Sequence, residues 1–276
     1  MPNPEPAGLP HDWIVPDWPV PPRVRALCTT RGGGVSNAPY ASLNLGDHVG
    51  DDPAAVQENR RRFAQAIGAH PVFLRQVHGW QVAALALQDA RTADGAVADG
   101  CVSAASSVAC TILVADCLPV LLTDRSARAV AAAHAGWRGL AGAGGTGVLE
   151  ATVGALRDAL ARDGGGRGAD IELLAWLGPC IGPERFEVGA EVKAAFEAHD
   201  PAATACFRPG RTSRWLADLP GLARQRLGAL GVTSVYGNDG SAGWCTVGNP
   251  ARFHSYRRDQ ASEGGSGRMA ACIWLA

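Results

Sequence analysis

Three side chains of this 276-residue chain combine metal-ligand or proton-transfer chemistry with a place beside a turn at a strand end: His78 in RQVHG, Cys117 in ADCLP and His134 in HAGWRG. Thiolate and imidazole suit a soft divalent ion such as zinc, and three protein ligands leave a fourth position open for water or substrate. Such a set makes a catalytic site rather than a structural one. The spacing, 39 residues from Cys117 back to His78 and 17 on to His134, lies far outside that of zinc fingers, and each histidine taken alone reads more simply as a hydrogen-bonded strand-end residue. The same atoms support a second chemistry, a nucleophilic Cys117 activated by His134 without metal. Both uses need the sulfur as thiolate and differ in whether an ion or an imidazolium lowers its pKa. Asp116 either orients a histidine or simply caps a turn.

Arginines beside glycine turns add a second line. Arg31 precedes a run of three glycines, Arg75 precedes Gln76 and His78, and Arg138 follows His134 by four residues. Guanidinium groups so placed suit phosphate or carboxylate recognition, with surface ion pairing as the plain alternative. FHSYRRD, predicted to lie on a strand, gathers His254, Tyr256, Arg257 and Arg258 into a polar cluster that either closes the site or forms a solvated edge. Gly142, Gly144 and Gly147 spell G-x-G-x-x-G before a helix. WRGLA separates them from the preceding strand and no βαβ unit surrounds them, so they read as a flexible helix entry, not a dinucleotide site.

The elements that must position these groups follow from periodicity and punctuation. An apolar share of 47% excludes a disordered chain, and a net charge of -1 provides no overall field for a nucleic acid partner. Eight cysteines without a C-x-x-C pair read mostly as buried small residues of a reduced, cytoplasmic protein. The N-terminus lacks the basic and apolar regions of a signal peptide, and no apolar run is long enough to span a membrane. Residues 1–22, with eight prolines, form an extended arm, and residues 23–276 a single domain. VRALCTTR, VFLRQVHGWQVAAL, DGCVSA, ACTILVADC, PVLLTD, AVAAAHAG, IELLAWLG, SVYG, FHSYRR and MAACIWLA are β-prone; DDPAAVQENRRRFAQAIG, VLEATVGALRDAL, GAEVKAAFEAH and DLPGLARQRLGALG have helical stripes. GGGRG at 164–168 is the clearest loop. Strands in runs between helices favour mixed α/β layers over a doubly wound sheet.

TTRGGGVSNAPYASLNLGDHVGDDPAAVQENR, RQVHG, ADGCV, VADCLPVLLTD, AAAHAGWRG, WLGPCIGPERFEVG, DLPGLARQRL and FHSYRRD, in this order, resemble the YfiH-type laccase-domain family from about Arg23 to the C-terminus. Its members are described as purine nucleoside phosphorylases with adenosine deaminase and methylthioadenosine phosphorylase activities, and formerly as polyphenol oxidases. The resemblance implies a single-domain α/β fold, a mixed-sheet α/β/β/α layered sandwich. It implies metal ligands at His78, Cys117 and His134, holding zinc or alternatively copper. LAGAGGTG after AGWRG is longer and more glycine-rich than the family's usual turn. Combined with the residue-level reading, catalysis is assigned to Cys117, His134 and Asp116, and substrate contacts to Arg31, Asn44, Arg75, Gln76, Arg138 and His254.

Composition judges the family's competing labels. A multicopper oxidase needs about ten imidazoles, many in H-x-H pairs, with a Cys-His-Met copper site. Seven histidines, no H-x-H and two methionines exclude a true laccase here. The zinc deaminase signature, a Glu beside the first ligand and P-C-x-x-C, is also absent, so deamination needs another base, for which Asp116 is the candidate. The expected partners are a purine nucleoside and phosphate, with no nucleic acid or membrane and the oligomeric state open, a monomer included. A metal-free cysteine hydrolase or amidase acting on peptidoglycan precursors, a copper-dependent polyphenol oxidase and a zinc-stabilised binding protein stay as alternatives.

Overall fold

The computed structural model describes residues 12–87, 93–162 and 171–276. Its architecture follows from strands whose two faces are both covered. β1 (Val24–Cys28), β2 (His70–Phe73), β5 (Val108–Val114) and β13 (Met269–Leu275) form a four-stranded sheet in the order β1-β13-β5-β2. β3 (Val82–Ala84), β4 (Gly100–Ser103), β6 (Leu118–Asp124), β7 (Val130–Ala135), β8 (Leu173–Leu177) and β12 (Ser234–Gly237) form a six-stranded one in the order β12-β8-β6-β7-β4-β3. β5, β6 and β13 are buried at every position, as their unbroken apolar runs require. Alternation then sorts the side chains. Leu118, Val120 and Leu122 of β6 join Leu149, Val153 and Leu156 of α3 (Val148–Arg162) on one face, while Leu121 meets Ile112, Ile273 and Trp176 between the sheets.

The outer face of the four-stranded sheet packs on α1 (Pro53–Ile67) through Phe63 and Ile67. The outer face of the six-stranded sheet packs on α3 and α5 (Leu219–Ala229). Helix, sheet, sheet, helix is the expected α/β/β/α sandwich, a mixed-sheet single domain. A small antiparallel sheet, β9 (Glu187–Val188), β11 (Trp215–Ala217) and β10 (Phe207–Pro209), follows β8 and sits with α4 (Ala190–Glu197) at one edge of the helical layer. No helix among the described residues is long and apolar enough to cross a membrane.

The structure departs from the sequence expectations in three places. VFLRQVHGWQVAAL is not one strand: β2 belongs to the four-stranded sheet and β3 to the six-stranded one, and RQVHG crosses between them as a loop. FHSYRR is not a strand either. Ser255 caps α6 (Tyr256–Glu263) by accepting the Arg258 N–H, and its own N–H donates to Asp259, an exchange that starts a helix despite the β-prone composition. The glycine run between α2 (Trp137–Ala141) and α3 is a tight turn rather than a loose entry, with Ala143 and Thr146 exchanging backbone hydrogen bonds at 3.1 Å. GGGRG and the first eleven residues of the arm lie outside the described residues; Ile14 of the arm pairs with Cys28 of β1, and Trp13 and Trp18 are buried.

One buried polar side chain ties the segment after β1 to the helical layer. Asn59 of α1 donates to the Ser36 hydroxyl and to the Ser42 and Asn44 carbonyls, and accepts the Val35 N–H. Asn59→Ala strands these groups and is expected to cost about 1–3 kcal/mol. A lower urea midpoint at unchanged slope is the expected result; an unchanged midpoint would mean that the stranded carbonyls find other partners.

Candidate active site

Strand register assembles the site. β6 and β7 are antiparallel, with Pro119 opposite His134, so Cys117 just before β6 lies beside the end of β7. β4 pairs with the other edge of β7, Gly100 opposite Ala133, which sets Asp99 against His134. The His134 N–H donates to the Asp99 carbonyl at 2.7 Å, and its ring Nδ1 lies 2.8 Å from Asp99 Oδ1. The same carboxylate, fully buried, accepts the N–H groups of Val77 (3.1 Å), His78 (2.9 Å) and Gly79 (2.7 Å). Asp99 therefore folds the RQVHG loop over His134.

That loop holds His78 at φ 61°, and Asp116 beside Cys117 at φ 90°, conformations that non-glycine residues adopt at a cost of about 1–3 kcal/mol each. His78 Nε2 lies 3.7 Å from Cys117 Sγ, and the ligand atoms of His78, Cys117 and His134 fall within 4.8 Å of one another. Gly136, the residue before α2, makes room for them. A Cβ there would meet the His78 ring at 2.8 Å and Cys117 Sγ at 2.9 Å, so only glycine lets the chain pass this close.

Charge within the cluster is shared. Burial pushes the Cys117 thiol up, but His134 and His78 outweigh it and bring its pKa down to about 6. Burial pushes His134 down, and Cys117 with Asp99 raises it to about 9. Asp99 ends below the usual carboxylate range: burial acts against it, and His134 with the loop N–H groups prevails. The donor set fits a soft divalent metal. With Nδ1 of His134 held by Asp99, Nε2 is the free ligand atom, the carboxylate–histidine support that metal ligands commonly have.

The cluster opens into a cavity of about 610 Å³. Of the residues assigned from sequence, Gln76, His78, Asp116, Cys117, His134 and Arg138 line it; Arg31, Asn44, Arg75 and His254 do not. Gln76 staples Leu113 through both amide atoms at 2.8 Å. Asp116 does not orient a histidine, a task that falls to Asp99; its carboxylate accepts the Thr246 hydroxyl (2.5 Å) and the Arg257 N–H (2.7 Å). Arg31 donates to the carbonyls of Ala41 and Pro250, and Arg75 is exposed outside the cavity wall. His254 is fully buried, its pKa pushed down to about 3 by burial, and neither ring nitrogen has a hydrogen-bond partner. Sequence reasoning passed over Asp99 and Arg268. Asp99 opens the strand read as DGCVSA, and Arg268 follows a glycine-rich turn as Arg31 precedes one, so the same rule applied there finds it.

A two-sheet α/β/β/α sandwich with a Cys-His-His cluster at the strand ends defines a class of protein. Residues 25–276 match the family described as multi-copper polyphenol oxidoreductase laccase, and the chain belongs to this laccase-like, YfiH family. It is 52% identical to the purine nucleoside phosphorylase PA4543 of Pseudomonas aeruginosa and 46% to the purine nucleoside phosphorylase YfiH of Escherichia coli, each over 95% of this chain and 98% of the relative. The solved structure of NMB0706 from Neisseria meningitidis superposes with a TM-score of 0.82 at 43% identity, covering 96% of this chain and 99% of that one. YlmD of Geobacillus stearothermophilus gives 0.74 at 30% identity, covering 92% of each.

Two outcomes test the cluster. Asp99→Asn keeps the size but loses carboxylate charge toward four donors, and metal affinity is expected to fall about 10–100-fold in competition with a chromophoric chelator; equal affinity would remove Asp99 from the metal support. In metal-stripped protein, alkylation of Cys117 by iodoacetamide should rise with pH through a midpoint near 6, as its thiol gives way to thiolate. His134→Ala should move that midpoint upward. The other seven cysteines are buried and should stay unmodified in peptide mass spectra of the folded protein.

Proposed function

We propose that this chain is a cytoplasmic, metal-dependent purine nucleoside enzyme that phosphorolyses adenosine, inosine and methylthioadenosine and deaminates adenosine at the same site. One observation carries the reading: the His78–Cys117–His134 cluster faces a cavity of nucleoside size with aromatic, apolar and guanidinium walls, in a chain whose relatives are named purine nucleoside phosphorylases. His78, Cys117 and His134 would hold the metal, and zinc, or copper on the same donors, would supply Lewis acidity there when bound.

Phe186 and Trp137, with the exposed ring of Tyr256, offer flat surfaces for a purine, and the cavity's arginines offer charge for phosphate. In phosphorolysis a phosphate oxygen bonds to ribose C1′ as the C1′–N9 bond breaks, its electron pair leaving with the purine, which takes up a proton. The protein's part is to hold the two reactants in line and keep water from C1′. In deamination water adds at C6 and ammonia leaves. Asp116, held against the cavity wall by Thr246 and Arg257, is the carboxylate assigned to take the proton from that water.

A second reading has its own support. The lowered thiol of Cys117 beside the raised imidazole of His134 is also the pairing of a metal-free cysteine hydrolase, with an amide of a peptidoglycan precursor as substrate. Incubation of zinc-loaded protein with adenosine and phosphate, followed by chromatography, separates the two. Adenine with ribose 1-phosphate is the expected product of phosphorolysis and inosine that of deamination; neither product, with turnover of an amide by metal-stripped protein, would establish the hydrolase. Cys117→Ala should lower kcat/KM by at least the about 10–100-fold that losing a ligand's supporting partner costs.

A further inference from the structure

Arg268, just ahead of β13, lines the cavity and is built in more firmly than the other arginines there. Its backbone N–H donates to Asn44 Oδ1 at 2.8 Å, and the same oxygen accepts the Gly46 N–H at 2.9 Å. Asn44 is fully buried, and its amide nitrogen donates to the Gly46 carbonyl and to Asp51. The Arg268 stem runs across Gly46, where a Cβ would come within 2.7 Å of its Cγ. Nη1 is spent on the carbonyls of Ser266 (2.8 Å) and Gly267 (3.2 Å). Among the described residues neither Nε nor Nη2 donates to a protein acceptor, and no carboxylate forms an ion pair with this guanidinium.

The Arg268 guanidinium lies over the Tyr256 ring at 5.8 Å, and among the described residues no ion pair neutralises it. Burial lowers its pKa against the opposing pull of Cys117, Asp116, Tyr256 and Tyr40, and His48, which also lines the cavity, is pushed down by burial and by Arg268. A half-buried cation with two free donors loses hydration that a bound oxyanion offsets. Two of the other cavity arginines are drawn to Glu187, and the third has, among the described residues, no hydrogen bond that fixes its guanidinium. Arg257 donates to the Glu187 carbonyl, Arg214 lies 3.9 Å from the Glu187 carboxylate, and Arg138 lies over the Trp137 ring at 4.5 Å.

We infer that Arg268 is the anchor for the phosphate co-substrate and that Asn44 is a positioning residue acting through it, an inference that takes from the phosphorylase reading only the identity of the anion. Nε and Nη2 present a fork that matches two phosphate oxygens, beside the metal-capable cluster, and Asn44 fixes the backbone from which that fork is presented.

Calorimetric titration of zinc-loaded protein with inorganic phosphate tests this without turnover. Arg268→Gln, which keeps most of the stem, should weaken phosphate binding at least about tenfold, and Arg268→Lys should lie between it and the wild type. Arg138→Gln should weaken it less than Arg268→Gln. In the phosphorolysis assay Asn44→Ala should raise KM for phosphate several-fold while KM for the nucleoside stays put, a split that general loosening of the fold would not give. Melting curves identify any variant that fails to fold, and Arg268→Lys carries the test if Arg268→Gln does. No phosphate binding by the wild type, unchanged binding by the folded Arg268 variants, or a larger loss in Arg138→Gln would overturn the inference. Adenine formation with an unchanged phosphate KM in Arg268→Gln would overturn it and leave the phosphorylase reading standing. Arg268-dependent phosphate binding without adenine formation would do the reverse.

Discussion

The Asp99 carboxylate is the constraint on which the site depends. A buried carboxylate left unpaired costs several kcal/mol, so its position is tolerable only with its lone pairs filled. Asp99 fills them with the His134 ring and three consecutive N–H groups of the His78 loop. The same contacts fix the free nitrogen of one histidine and wrap the second over it. The carboxylate need not reach the cavity to determine the site's geometry.

Layering explains why the cluster forms at this place. The two sheets bury each other's inner faces and the helices bury the outer ones, which leaves strand ends as the places where polar side chains can gather near open space. Cys117 and His134 sit at adjacent ends of an antiparallel pair, and Asp99 at the matching end of the next strand. Asp116 and Gly136 flank those ends: Asp116 holds φ at 90°, and Gly136 sits where the His78 ring and Cys117 leave no room for a Cβ. The strain is local, and fully buried strands on either side hold it.

Mixed α/β layers were legible because their signals are periodic, whereas the α/β/β/α order of those layers came from the family resemblance. Unbroken apolar strands, striped helices and the runs in which they come imply covered sheets without reference to any distant contact. The motif positions of His78, Cys117 and His134 were legible through family resemblance, since their sequence separations carry no geometry. Harder to read were effects that exist only in three dimensions. FHSYRR looked β-prone because the Ser255–Asp259 exchange that makes it a helix start is a local capping contact outweighing composition. Asn44 was assigned a substrate contact within a stretch that carries the family resemblance, whereas its oxygen faces the backbone of Arg268 from 224 residues away. Asp116 and Asp99 are chemically the same, and which one meets the histidine is decided by the register of β4 on β7 alone.

The cluster's electrostatics also explain why one site supports two chemical descriptions. Cys117 and His134 each shift the other, so in metal-free protein between roughly the pKa values of about 6 and about 9 a thiolate stands beside an imidazolium. That is the resting state of a cysteine nucleophile. It is also what a soft divalent cation needs, a deprotonated sulfur, with one proton to be displaced from the imidazole before its nitrogen can ligate. Asp99 favours both states, since a carboxylate at Nδ1 stabilises an imidazolium and equally raises the basicity of a neutral ring. A reactive Cys117 in stripped protein is therefore consistent with either chemistry. What separates them is the occupied site, where a bound metal would consume the nucleophile's electron pair and turn the same three residues from reagents into ligands.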